Sequence, residues 1–175
     1  MRIAVIGALI LFNYVLQTSV LPHVAILGVI PDTALIFIIG YGILRGDIEG
    51  AIFGFMVGLL QDVFSGGPVG KFALMGFLIG YISGKPFRDF FKDNYFLPFI
   101  IVLVAIILQQ FVIYVSSFLF LGYLNFPHYA LSIILPTTIY TVSLSIPLYS
   151  LLHFINGRIE NWESNRRNFF EGDRE

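Results

Sequence analysis

Three stretches of this 175-residue chain, Ile3 to Leu21, Tyr95 to Leu121 and Tyr129 to Ile155, contain no Asp, Glu, Lys or Arg. Uninterrupted apolar runs of about 18 residues or more are the mark of membrane-spanning helices. A soluble core of this size has no room to bury three of them. Composition agrees: charged residues make up 12% of the chain, against about 25% in an ordinary soluble domain. The net charge of −1 predicts no nucleic-acid or polyanion partner. Cysteine is absent, which excludes disulfides, thiolate metal sites and a thiol nucleophile. The opening apolar run is too long for a secretory h-region, and Gln17 to His23 makes a poor cleavage site, so it is expected to stay as the first span.

Prolines and changes of polarity predict helices over 3–21, 32–44, 50–64, 69–84, 95–121 and 129–155, with a tail over 156–175. The expected fold is an all-α integral membrane protein, a six-helix transmembrane bundle over 1–155. Helices 2 to 4 look too short to cross alone, since fifteen residues reach about 22 Å against a hydrocarbon core of about 30 Å. Loops dipping into the bundle are therefore expected, shielded by protein. Pro136 and Pro147 should kink helix 6, with Thr137, Thr138, Ser143 and Ser145 at hand for freed carbonyls. With the N-terminus inside, Arg2, Arg45, Lys85, Arg88, Lys92, Arg158, Arg166, Arg167 and Arg174 lie on the cytoplasmic side and Lys71 alone outside. That bias places both termini in the cytoplasm. In the tail, Ile155, Ile159 and Trp162 share a helical face, as in an interfacial amphipathic helix; a flexible end is the alternative.

The candidate functional positions are small or polar residues within the spans. Gly50, Gly54 and Gly58 in helix 3 and Gly76, Gly80 and Gly84 in helix 4 form doubled GxxxG stripes, which let backbones approach closely. The stripes either pack on each other or receive a partner helix. Asp62 continues the helix 3 stripe. An ionisable group at membrane depth points to function, or to a carboxylate anchored on the amides of the Ser65–Gly67 turn or the start of helix 2. Asp32, after Pro31, suits the cap of helix 2. Arg45 and Glu49 flank a tight turn of alternating charge between helices 2 and 3. Asn13 and Gln17 share a face of helix 1, and Gln109 and Gln110 add polarity to helix 5. Amides in lipid need partners inside the bundle or on another membrane protein. His23, His128 and His153 are widely separated, and neither HExxH nor GxSxG occurs. Hence no catalytic residue, metal ligand or cofactor site is expected.

Pro31-Asp32, Leu44-Arg45-Gly46-Asp47-Ile48-Glu49-Gly50-Ala51-Ile52-Phe53-Gly54-Phe55 and Gly58-Leu59-Leu60-Gln61-Asp62-Val63-Phe64-Ser65-Gly66 together resemble the rod-shape-determining MreD family, in its Gram-positive form. The chain length, the opening helix with Leu16-Gln17-Thr18-Ser19-Val20-Leu21-Pro22 and the charged tail extend the resemblance over nearly the whole chain. It implies a bacterial plasma-membrane protein of the elongation machinery without catalytic activity. The implied partners are MreC, the transglycosylase RodA and a class B penicillin-binding protein, with MreB reached indirectly, all within membrane lipid. The implied fold is similar to the S component of energy-coupling-factor transporters. Asp32, Arg45, Gly50, Gly54, Gly58 and Asp62 match recurrent family positions. The expected function is a membrane scaffold that positions peptidoglycan-synthesis partners. The competing expectation is a small-molecule-binding transporter subunit, for which Ala4 and Ala8 would supply a small-residue contact with a transport module.

Overall fold

The computed structural model describes residues 2–25, 28–65, 70–85, 96–121 and 126–172, and every regular element among them is helical. Helix α1 (Arg2–Val15) runs on through a π turn (Leu16–Val20) and a 3-10 turn (Leu21–Val24). It is followed by α2 (Thr33–Arg45), α3 (Asp47–Ser65), α4 (Lys71–Gly84) and α5 (Phe96–Leu121). The last helix, α6, covers residues 126–172 as a short turn (Phe126–Tyr129), a π segment (Ala130–Ile134) and a long α segment (Leu135–Gly172). The six helices alternate in direction. One end of the bundle, here the proximal end, carries the start of α1 and the α2–α3 turn; the distal end carries the starts of α2 and α4.

Several boundaries differ from the sequence expectation, each for a local reason. Pro22 does not end helix 1. The helix first widens, with Leu21 N–H reaching back five residues to Leu16, and then tightens around the proline. Helix α3 begins three residues early, because Asp47 accepts the Ile48 amide at 2.9 Å, and Asp47 and Glu49 place negative charge at its first turn. At 19 residues it reaches about 28 Å, so it is not among the short helices. Helix α6 does not stop at 155; its backbone stays helical to Gly172, and the side chains beyond Arg158 lie outside those the structure describes. Its π segment closes just before Pro136, where the missing N–H already interrupts the ladder. The hydroxyls do not take the carbonyls that the prolines free. Thr137 bonds Ile133, Ser143 bonds Ile139 and Ser145 bonds Val142, each one turn back, and Thr138 Oγ1 is buried without a partner.

Helix α2 is the axis of the bundle. Every residue from Thr33 to Leu44 is buried. On one side Phe37, Ile38 and Tyr41 pack with Leu9 of α1 and Phe53 and Val57 of α3; on the other, Leu35, Ile39 and Ile43 pack with Val102 and Ile106 of α5 and Tyr149 of α6. Gly40 makes the second contact possible, since a Cβ there would come within 2.7 Å of Leu152 Cδ1. Three segments are long and apolar enough to cross a membrane: Ile6–Val24, Pro98–Ser116 and Pro127–Arg158. Most of the residues in the most apolar part of each are not buried within the protein. Their outward faces, with Leu11, Leu108 and Ile139 among the exposed residues, suit lipid as solvent.

Glycine sets the closest contact. Gly46, Gly50, Gly54 and Gly58 meet Gly84, Gly80, Gly76 and Phe72 in antiparallel order, backbone against backbone. A Cβ on Gly54 would fall on the Gly76 carbonyl, and one on Gly50 would lie 2.6 Å from the Gly80 oxygen and 2.7 Å from Gly42 Cα of α2. In lipid the contact is held by dispersion and weak Cα–H bonds rather than by hydrophobic association. The single connecting residue between α2 and α3, Gly46, sits at φ +104°, a conformation that side chains rarely adopt.

The Gly54→Ala variant should lose about 1–3 kcal/mol of stability through overpacking, whereas Gly157→Ala, where a Cβ meets open space, should change little. Thermal unfolding of both in the same detergent checks the contrast.

Candidate functional site

Polar side chains from several helices meet at two helix starts at the distal end. A helix start exposes amides that have no partner in their own helix, and hydrocarbon offers none. At the start of α4, Asp62 of α3 is 2% exposed and accepts three amides: Gly70 and Ala73 on Oδ2, both at 2.9 Å, and Phe72 on Oδ1 at 3.0 Å. Among the described residues its partners thus lie at the start of α4 rather than of helix 2, and Gly66 and Gly67 of the expected turn lie outside the described residues. The carboxylate also sits at the positive end of the α4 dipole. Gly70, at φ +104°, turns the chain so that its own amide joins the group.

The start of α2 is bonded from three other helices. Asp32 caps it, accepting the Leu35 amide at 3.2 Å. Its other oxygen accepts the Gln109 amide group from α5. Its backbone N–H donates to Thr141 Oγ1 of α6 at 3.0 Å. Gln17 of α1 completes the ring: its Oε1 accepts both the Thr33 amide (3.1 Å) and the Thr33 hydroxyl (2.5 Å), and its Nε2 donates to the Pro31 carbonyl at 3.1 Å. Tyr140 of α6 donates to the Val24 carbonyl at 2.9 Å. Side chains of α1 and α6 thus bond the Val24 and Pro31 carbonyls and the Asp32 amide on the way into α2.

This start is sunken. Gln109 lies 13 residues after Phe96, about 20 Å along α5, and a further 12 residues carry α5 about 18 Å past it to Leu121. The segment before α2 therefore sits within the depth that α5 traverses, where only internal partners can satisfy it.

The remaining predicted positions fall into three groups. Gly50, Gly54, Gly58, Gly76, Gly80 and Gly84 line the α3–α4 contact. Arg45 and Glu49 lie at the proximal end, half-buried, with Tyr41 Oη donating to Glu49 Oε2 at 3.5 Å. Nearby, a Tyr81 hydrogen bond and the Tyr81 charge, together with Asp47, push the exposed Lys85 ammonium above its usual pKa range. Asn13 is buried one turn from Gln17 but does not join the ring. Sequence reasoning missed Thr141 and Gly40, because a lone threonine or glycine in an apolar helix carries no spacing signal. It noted Gln109 without a partner. Among the described residues, no three His, Cys, Asp or Glu side chains are grouped as a metal would need. His23 donates from its ring to the Ser19 carbonyl at 2.8 Å.

The family model of the rod shape-determining protein MreD matches residues 2–155, most of the chain. No curated protein and no solved structure matches it.

Asp62→Asn keeps the shape but gives up charge and turns an amide donor towards backbone donors. Bonds to a charged group are worth about 1.5–3 kcal/mol each, so the variant should lose about 2–4 kcal/mol in detergent unfolding. Gln17→Leu, which strands the Thr33 amide and the Pro31 carbonyl, should lose about 1–3 kcal/mol in the same measurement.

Proposed function

The chain belongs to the MreD family of rod shape-determining proteins, and on that premise we propose that it is a non-enzymatic scaffold of the bacterial cell-elongation complex. It holds MreC, and directly or through MreC the transglycosylase RodA and a class B penicillin-binding protein, by contacts between transmembrane helices. MreB is reached indirectly. The protein crosses the plasma membrane six times, with its proximal end and both termini in the cytoplasm, as the basic residues suggest.

The observation that carries this reading is the use made of the two acidic residues at membrane depth. Intramembrane carboxylates usually mark transport or proton-relay chemistry. Here Asp32 and Asp62 each hold a helix start together, Asp62 with three amides and Asp32 with an amide and a glutamine. Groups spent in this way favour a rigid, permanent shape over a cycle of ion binding. The broad lipid-facing surfaces of α1 and α5, with Leu11, Phe12 and Val15 on one and Val104, Leu108 and Phe111 on the other, leave apolar faces for neighbouring helices.

Co-expression with MreC and purification in mild detergent should recover the two together, and deletion should widen the cells and disperse MreC. Unchanged cell width and MreC recruitment after deletion would overturn the scaffold. A copurified metabolite without MreC would favour the transporter subunit.

A further inference from the structure

A groove of about 580 Å³ runs along the outer side of the α3–α4 pair, lined by Ile52, Phe55 and Leu59 of α3 and by Ala73, Leu74 and Phe77 of α4, with Gly70 at its distal end. Its shape follows from the glycine contact. The two backbones touch at Gly54 and Gly76, so no large side chain fills the space between the helices. Ala73 lies deep, 2% exposed, while Phe55, Leu74 and Phe77 stand out at the sides. No side chain of the lining carries a polar group.

The proximal end of the groove decides its occupant. Phe77, Tyr81 and Lys85 follow at four-residue intervals and so share a face of α4. Lys85 is exposed, and its Nζ lies 4.4 Å from the centre of the Tyr81 ring, folded back along the helix towards the groove. Among the described residues no carboxylate pairs with it. Asp47, the acidic side chain whose charge reaches it, accepts the Ile48 amide of its own helix at 2.9 Å. An apolar channel ending at a cation is the complement of a lipid with an anionic head. Length agrees: from Gly70 to Lys85 is about 22 Å along α4. One leaflet with its head groups, half of a bilayer, is about 20–22 Å deep. A partner helix crossing the whole hydrocarbon core, about 30 Å, would outrun the groove.

We propose that this groove is a binding site for an anionic diacyl phospholipid, with the phosphate on Lys85 Nζ and one acyl chain between Phe55 and Phe77. The proposal goes beyond the scaffold reading and takes from it only the cytoplasmic position of the proximal end, which assigns the lipid to the inner leaflet.

The test uses the full chain in nanodiscs of phosphatidylcholine and phosphatidylglycerol in equal parts, read by native mass spectrometry at an activation that strips loosely held lipid. One phosphatidylglycerol should remain bound. Lys85→Gln should lower that adduct about fivefold, since a cation near the membrane surface contributes about 1 kcal/mol to holding an anionic lipid. Phe77→Ala, which removes one wall and keeps the charge, should lower it as well, and it decides the matter if Lys85→Gln does not fold by thermal unfolding. Lys71→Gln, which removes a cation from the other end of α4, should leave it unchanged. Equal retention of the two lipids, an undiminished adduct in either folded variant of Lys85 or Phe77, or an equal loss in Lys71→Gln would overturn the proposal. So would competition by glycerol 3-phosphate at the concentration of the lipid, which would make the ligand a soluble phosphate. Displacement of the lipid by co-expressed MreC would do the same, by making the groove a helix-docking surface. Nanodiscs present the lipid on both faces, so failure here is separable from failure of the proposed orientation or of MreC binding.

Discussion

A helix that begins where there is no water must find its hydrogen-bond acceptors inside the protein, and this bundle is arranged around two such beginnings. Asp62 answers one with a single carboxylate spread over three amides. The other is answered jointly, by Asp32 on its own helix and by Gln17, Gln109 and Thr141 from three others. Because each unmet amide in hydrocarbon costs several kcal/mol, these bonds fix the relative depth of the helices. Moving α1 by one residue along its axis would take Gln17 away from Thr33.

The same demand explains why α2 can be so short. Thirteen residues reach only about 20 Å, so α2, which ends at the proximal Gly46 turn, starts short of the distal level of α5. It avoids contact with lipid by being enclosed on all sides, and glycine makes the enclosure tight enough. Gly42 meets the α3–α4 seam at Gly50 and Gly80, and Gly40 admits Tyr149 and Leu152 of α6. Polar bonds set depth and glycines set distance. Neither alone would define the packing, because apolar side chains gain little by leaving lipid for one another.

A rigid core of this kind suits a protein of the rod shape-determining family, whose work under the scaffold reading is to present constant outer faces to its neighbours. Asp32 and Asp62 are committed to the fold. The exposed apolar faces of α1 and α5 suit the bilayer.

The amino-acid sequence by itself determined the solvent, the helical class and the number of helices, because long uncharged runs have only one stable environment and prolines and glycines punctuate them. It also marked Asp32 as a cap, since Pro-Asp before an apolar run has a local meaning, and it marked the four-residue glycine spacing, which is visible within a single turn. Only the tertiary structure decided where the polar atoms go. Asp62 reaches the start of α4, Gln17 serves a helix that starts sixteen residues later, and Thr141 meets an amide 109 residues away. These partners are set by helix depth and rotation within the bundle, which depend on all six helices at once and leave no periodic trace in any one of them.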